Sequence, residues 1–372
     1  MRKINGNNSR CAPRRSLVRA VITVVVCVTL FAACAPIGPR VLSSGRPLWN
    51  IAVQETESQQ LLLNIIRQRY SDPIMFLDVT SISSGFNFSA STALSGDIVS
   101  PGKNKVAGVL GASASESPNI IYSPNSGEKF VRQMLTPMDL RTVALVLQAG
   151  WSIERMFLLV GESFNQVRNS AAGLNSNERR AQLLQALSAL RQLQKTGLLS
   201  IGVAPVEEGE QSGIALVFSS GAMETEWYKL VCETLETSCD GAPIYLKQAV
   251  GAAKDGESMT LTTRSLFSTL YFLSQGVEAP AKDLQSGNAE VRKNVEGGPF
   301  DWNSSRSKLF RVHSSENEPE NAAVKVFYRG SWFYIADNDA DSKVTFALLS
   351  MLMTLQSGDT TKVSPMLTLP LG

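Results

Sequence analysis

"NERRAQLLQALSALRQLQKTGLLSIGVAPV", residues 177–206, changes character at Gly197, and that change decides the fold class. Ahead of the glycine, Leu183, Leu184, Leu187, Leu190 and Leu193 fall on one helical stripe, with the charged residues elsewhere. Gly197 is a natural helix C-cap. Beyond it, "LLSIGVAPV" (198–206) and "GIALVFSS" (213–220) flank the acidic turn "EEGEQS", a hairpin pattern. The leucine stripe either packs within its own domain or recruits a partner helix.

The same alternation of helices and hairpins holds on both sides. Upstream, helical patterns run through "EKFVRQML" (128–135), "DLRTVALVLQAG" (139–150) and "IERMFLLVGESFNQV" (153–167), with breaks at Pro137, at Gly150 and Trp151, and at "NSAAGLNSN". An earlier helix, "TESQQLLLNIIRQRY" (56–70), carries Leu62, Ile65, Ile66, Arg69 and Tyr70 on helical spacing and stops at Asp72 and Pro73. The strand "IMFLDVTSI" (74–82) follows. Downstream come a helix over 224–236, a strand "PIYLKQA", a helix over 264–276 and a polar linker over 278–305. The C-terminal unit is a hairpin turning at Arg329 and Gly330, then a helix, "SKVTFALLSMLMTLQSG". No repeat period is present. The expectation is an α+β fold: a helix-rich middle, antiparallel hairpins on either side, and a C-terminal hairpin-helix unit.

Two segments between 85 and 115 stand apart. "GFNFSASTAL" (85–94) and "KVAGVLGASAS" (105–115) alternate or nearly alternate. Phe86, Phe88, Ala90, Thr92 and Leu94 make one face; Asn87, Ser89 and Ser91 make the other. Three readings remain open: a hairpin packed on the domain's helices, a hairpin contributed to an oligomeric membrane barrel, or a disordered loop.

The N-terminus reads as a leader. A basic region ends at Arg19, and "AVITVVVCVTLFAA" (20–33) follows without a charge. Fourteen helical residues span about 21 Å, short of the roughly 30 Å of a hydrocarbon core, so a signal peptide is favoured over a membrane span. Two small residues precede Cys34. The stretch resembles the bacterial lipoprotein signal, although Phe31 stands where leucine is usual, with Leu30 one place earlier. The resemblance implies cleavage before Cys34 and acylation of its sulfur and new amine. Several acyl chains, at about 0.8 kcal/mol per buried methylene, hold far better than one. Ala35 is not Asp, so nothing in the resemblance signals retention in an inner membrane. An ordinary signal peptide with a chance cysteine is the alternative.

This leader distorts the charge balance of the 372-residue chain, which is 44% hydrophobic and 18% charged. Arg2, Lys3, Arg10, Arg14, Arg15 and Arg19 are six of its 35 basic residues; without them 29 basic face 33 acidic, a net of −4. A slightly acidic chain without a basic block has no footprint for nucleic acid. The organisation expected is a signal peptide (1–33), a Pro- and Gly-containing tether (34–50), a helix-rich α+β region with the small-residue hairpin (51–205), and a second α+β region (206–372). The last two are either separate or one continuous domain.

Of the cysteines, Cys11 and Cys27 leave with the leader, Cys34 takes lipid, and Cys232 and Cys239 remain. Seven residues apart on a continuous helix, these two would lie about 10 Å apart, too far to bond. A disulfide therefore requires the helix to end near Thr237 and Ser238; two free thiols are the alternative.

Catalytic and metal motifs are sparse. His313 is the one histidine; no Gly-x-Ser-x-Gly elbow, Walker loop or dinucleotide fingerprint occurs, and the Cys and His set suits no standard zinc site. "SGEK" (126–129), "SFN" (163–165) and "KTG" (195–197) follow the order of the penicillin-binding enzymes. However, the third caps a helix, the second falls inside a helical pattern, and the spacing is too short. Asp337, Asp339 and Asp341 begin like a calcium loop, but Ser342 and Leu348 stand where Gly and Glu belong. The alternative there is a helix N-cap at Asp341 or Ser342. No cofactor is expected.

"NIIRQRYSDPIMFLDVTSI" (64–82), "FVRQMLTPMDL" (130–140), "LQAGW" (147–151), "TRSLFSTLYFLSQG" (263–276) and "WFYIADNDADSKVTFALLSMLMTLQSG" (332–358) together resemble an uncharacterised family of proteobacterial lipoproteins. That resemblance implies an envelope protein and carries no known activity or ligand. The leading expectation is a lipid-anchored envelope lipoprotein with a structural or protein-interaction role, at the outer membrane facing the periplasm. It would be held to the bilayer through Cys34 and would engage an envelope protein. The alternative is a subunit of an oligomeric outer-membrane barrel or export complex using the 85–115 hairpin; an envelope hydrolase ranks third.

Overall fold

A computed structural model describes residues 37–97, 105–165, 167–169, 176–203, 213–248, 258–289 and 309–356. It divides into two units, residues 1–56 and 57–372. Helix α1 is Ile37–Arg69. The span read as an irregular tether is therefore helical from residue 37, with Pro47 inside the helix. Pro47 has no N–H for the preceding turn, so the helix runs through it at a cost of about 3 kcal/mol. Unit 1 is described only for this helical segment, where the Thr56 hydroxyl bonds back to the Ala52 and Val53 carbonyls.

In unit 2, α1 ends as its sequence demands. Ser71 takes a left-handed conformation (φ 58°), and the Asp72 N–H returns to the Arg67 carbonyl at 2.8 Å. Strand β1 (Phe76–Asp97) pairs antiparallel with β2 (Lys105–Asn125), and the two form a sheet of their own. Helices α2 (Glu128–Leu135), α3 (Leu140–Gln148) and α4 (Ile153–Val160) follow. Asp139 and Ser152 cap α3 and α4 with their side-chain oxygens.

The helical pattern read over 153–167 is cut short. α4 stops at Val160, and β3 (Gly161–Phe164) and β4 (Val167–Arg168) replace its second half. Two buried side chains supply the reason: Asn169 and Arg264 take up the last carbonyls of α4, which a continued helix would have used itself. A side chain at Gly161 would meet the Phe157 carbonyl and the Phe164 ring at 2.6 Å, so only glycine fits that corner.

α5 (Ser176–Lys195) carries the leucine stripe, and Leu183, Leu187, Leu190 and Leu193 are buried against the protein's own core. Each such burial contributes roughly 2 kcal/mol. Gly197 caps the helix at φ 72°. Then come β5 (Leu199–Val203), β6 (Ile214–Phe218), α6 (Glu226–Leu235), β7 (Ile244–Lys247), β8 (Ser258–Thr263) and α7 (Leu266–Ser274). β8 has no counterpart in the sequence reading. It closes a six-stranded mixed sheet in the order β4-β3-β8-β7-β6-β5, in which only β7 and β8 run parallel. The sheet draws strands from both 51–205 and 206–372, and residues 57–372 form one compact unit.

The start of the expected polar linker is folded: α8 (Ala281–Gln285) follows α7, with Asp283 and Ala289 buried. A three-stranded sheet of β9 (His313–Ser315), β10 (Ala322–Tyr328) and β11 (Ser331–Ala336) precedes α9 (Ala340–Gln356). Arg329 (φ 48°) and Gly330 (φ 76°) make its two-residue turn, both left-handed as a twisted hairpin requires. The N-cap of α9 is Asp339, which accepts from the Ser342 N–H, rather than Asp341 or Ser342. The fold is α+β, with helices packed on predominantly antiparallel sheets.

Candidate functional site

The most unusual feature is the β1–β2 ribbon. Its strands are 22 and 21 residues long, in register from Phe76↔Asn125 to Asp97↔Lys105, with one irregularity between Val79 and Ser81. Its base is tied to the body. Asn64 exchanges two hydrogen bonds with the Met75 backbone and Gln60 two with Leu77, while buried Phe76 lies edge-on to Phe130. Just above, Leu77, Ile121 and Tyr122 are exposed, so this part of the ribbon is not covered by the domain's helices.

Beside the base, a polar and aromatic knot joins the end of α1 to the C-terminal hairpin. The Asp72 carboxylate accepts from the Tyr328 hydroxyl at 2.5 Å and from Arg329 through two nitrogens at 2.9–3.1 Å. Burial pushes the Asp72 pKa up, but the Tyr328 and Arg329 hydrogen bonds outweigh it and hold the carboxyl below its ordinary value. The Tyr70 hydroxyl donates to buried Asp283 at 2.7 Å, and burial with that acceptor raises the phenol's pKa. Its ring meets Tyr328 and Phe333 edge-on and lies under the Arg329 guanidinium.

Two arginines are buried in opposite circumstances. Arg264, 3% exposed, donates to the Leu158, Leu159, Gly161 and Asn169 carbonyls and sits 3.8 Å over the Phe272 ring. Burial pulls its pKa down to about 9, opposed by the charge of Glu162. Arg180, 5% exposed, has no hydrogen-bond partner for Nε and Nη2 among the described residues, and burial lowers its pKa as well.

A cleft of about 570 Å³ opens where α4, α5 and α9 converge, lined by Trp151, Arg155, Arg191, Lys195 and Asp341 among others. Two of its charged groups, Arg155 and Asp341, pair with each other. Arg155 meets the Asp341 carboxylate at 2.5 Å and the Thr345 hydroxyl at 2.6 Å, and Arg191 donates to Gln194 at 2.6 Å. Gln194 in turn holds the start of α4 through the Trp151 carbonyl and the Ile153 N–H. These bonds brace three helices.

His313 lies on β9 with Nδ1 at 3.2 Å from Glu278, whose other oxygen bonds Arg311. A carboxylate-braced imidazole is one half of an acid–base pair. Among the described residues no hydroxyl or thiol bonds its other nitrogen, and the ring packs on Tyr334. The three penicillin-binding-like stretches are not brought to one purpose. Lys195, Thr196 and Gly197 end α5, as expected. "SFN" lies on β3 and the turn after it rather than in a helix, with the Asn165 side chain spent on the Leu235 carbonyl and the Thr260 N–H.

The three aspartates of the calcium-like run serve separate partners. Asp337 binds Lys343, Asp339 binds Ser342 and Asp341 binds Arg155. Among the described residues no group of three or more His, Cys, Asp or Glu side chains is placed to hold a metal ion.

Cys34, the expected acylation site, lies outside the described residues. Cys232 and Cys239 are free thiols, one buried and one exposed. α6 ends at Glu236 in a left-handed cap, and the loop folds back so that the Gly241 N–H reaches the Tyr228 hydroxyl at 3.0 Å. This return places the Cys239 sulfur in hydrogen-bond contact with Cys232, whose pKa burial and that contact raise to about 12. Arg264 and the Tyr70–Asp72 knot escaped the sequence reading. The clue was an arginine beside a predicted apolar helix.

Among the described residues no helix is long and apolar enough to cross a membrane. Comparison with known proteins finds no matching family model, no matching curated relative and no matching solved structure.

Proposed function

We propose that this chain is a lipid-anchored envelope lipoprotein with a structural or protein-interaction role, held at the outer membrane and facing the periplasm. One observation carries the reading: a basic leader and a fourteen-residue apolar stretch end in two alanines and Cys34. Acyl chains on that sulfur and the new amine hold the protein at the bilayer. The resemblance to the uncharacterised proteobacterial lipoproteins supports the same compartment.

The body suits an interaction role. Its buried polar groups brace helices and hairpins to one another, and the base of the ribbon exposes Leu77, Ile121 and Tyr122. The partner is an envelope protein. Cells fed labelled palmitate test the anchor: the parent chain takes up label and begins at Cys34 by mass spectrometry, and Cys34→Ser takes up none. Equal labelling of the two chains overturns the reading.

A further inference from the structure

We infer that the outer half of the β1–β2 ribbon is a transmembrane hairpin that joins edge to edge with the same hairpin of further copies of this chain, closing a barrel in the bilayer. This deepens the anchored-lipoprotein reading and rests on it for the compartment alone.

The first ground is length bounded by charge. The register puts Asp97 opposite Lys105 at one end and Phe86 opposite Glu116 at the other. Between those pairs, residues 87–96 and 106–115 contain no Asp, Glu, Lys or Arg. That is about ten residues per strand, and a membrane strand needs 9–11. At about 3.3 Å each and a tilt near 40°, they cover roughly 25 Å, the height of a barrel's apolar band.

The second ground is alternation in the observed register. Phe88, Ala90, Thr92 and Leu94 share a face with their partners Ala114, Ala112, Leu110 and Gly108. Asn87, Ser89, Ser91, Ala93 and Ser95 share the opposite face with Ser115, Ser113, Gly111, Val109 and Ala107. One face is apolar apart from a single threonine, as lipid requires; the other is small and largely polar, as a lumen requires. Phe86 and Phe88 stand at the near end, where barrels place aromatic girdles.

The third ground is the edges, and it selects the partner. Among the described residues the ribbon's sheet has two strands, so the outward backbone of each has no described strand beside it. An isolated hairpin is marginal in water, and hydrocarbon leaves open edges unsatisfied at several kcal/mol per group. Closure removes every edge at once. Identical hairpins meeting head to tail around a rotation axis achieve it, because each copy presents one β1 edge and one β2 edge. Barrels start at eight strands, so a ring takes on the order of four copies or more.

The experiment uses the full acylated chain in phosphatidylethanolamine–phosphatidylglycerol vesicles, with Cys232 and Cys239 replaced by serine. Single cysteines at Ser89, Ala90, Ser91 and Thr92 carry an environment-sensitive fluorophore. The expected result is alternation: labels at 90 and 92 are quenched by lipid-borne quenchers at least threefold more than labels at 89 and 91. Labels at 89 and 91 instead respond to aqueous iodide.

Cross-linking in mild detergent yields a ladder of copies that vanishes when residues 86–116 are replaced by Asn-Gly. A chain that is acylated and vesicle-bound, yet monomeric and equally aqueous at all four positions, overturns the barrel and leaves the anchor standing. Pairing of the ribbon with another protein's sheet edge, in place of its own copies, overturns it too. A chain that takes up no palmitate fails the anchor reading separately.

Discussion

The two hairpins of this protein share a local design and meet opposite fates. The C-terminal one, β10–β11, has short strands, a left-handed Arg329–Gly330 turn and a face buried through Phe333 and Ile335. Its tip is locked to Asp72. The ribbon β1–β2 has strands about three times as long and, among the described residues, is tied to the body at its base by Phe76, Gln60 and Asn64. The body is stabilised by specific buried contacts, and the ribbon's base shares in them through Phe76, Gln60 and Asn64. A strand pattern therefore forecasts a strand, but what covers the strand decides whether it is core or arm.

That contrast breaks most readily at Arg264. Removing its guanidinium takes this donor from the Leu159 and Asn169 carbonyls and leaves those of Leu158 and Gly161 to Asn169, so Arg264→Met is expected to cost about 3 kcal/mol in chemical denaturation. Next comes the Cys232–Cys239 pair, which the proposed envelope location would oxidise. Each thiol loses a proton and an electron to a disulfide oxidant, and the eight-residue loop so closed is worth about 2.5 kcal/mol. Thiol titration of the denatured envelope-derived chain should find neither sulfur free, and reduction should lower its unfolding midpoint.

Acid sharpens the comparison at Asp72. A depressed folded pKa contributes stability above the unfolded value that is lost as pH falls through the folded one. The parent chain should therefore lose stability below about pH 4 more steeply than Asp72→Asn, as followed by urea midpoints at successive pH values. Arg180 is the counterpart of Arg264: with two buried nitrogens unanswered among the described residues, Arg180→Met should raise stability by about 1 kcal/mol.

The smallest effect is expected from the ribbon. Replacing residues 86–116 by Asn-Gly in the unacylated Cys34→Ser chain should shift the body's unfolding by no more than about 0.5 kcal/mol. A larger loss would mean that the outer ribbon packs on the body after all.

Much of the architecture was legible where periodicity and caps agree. The leucine stripe of α5, the Gly197 cap, the turn at Arg329 and Gly330, and the pairing of 85–94 with 105–115 all follow from local rules. Errors fell where a distant side chain decides. α4 ends because Asn169 and Arg264 claim its carbonyls, and neither lies in the helix. β8 reads as a weak polar strand, and it is held by neighbours on both sides. The start of the 278–305 stretch is folded because Tyr70, far away in sequence, buries Asp283.

By itself the chain's order of residues determined the periods, the turns, the leader and the charge-free belt of the ribbon, because each depends on neighbours a few positions apart. Tertiary structure alone decided which arginine is satisfied, which carboxylates find which distant cations, and what covers the C-terminal hairpin. Those outcomes depend on groups brought together from 100 to 250 positions apart, as in Arg264 with Leu159 and Tyr328 with Asp72, and no local pattern encodes such distances.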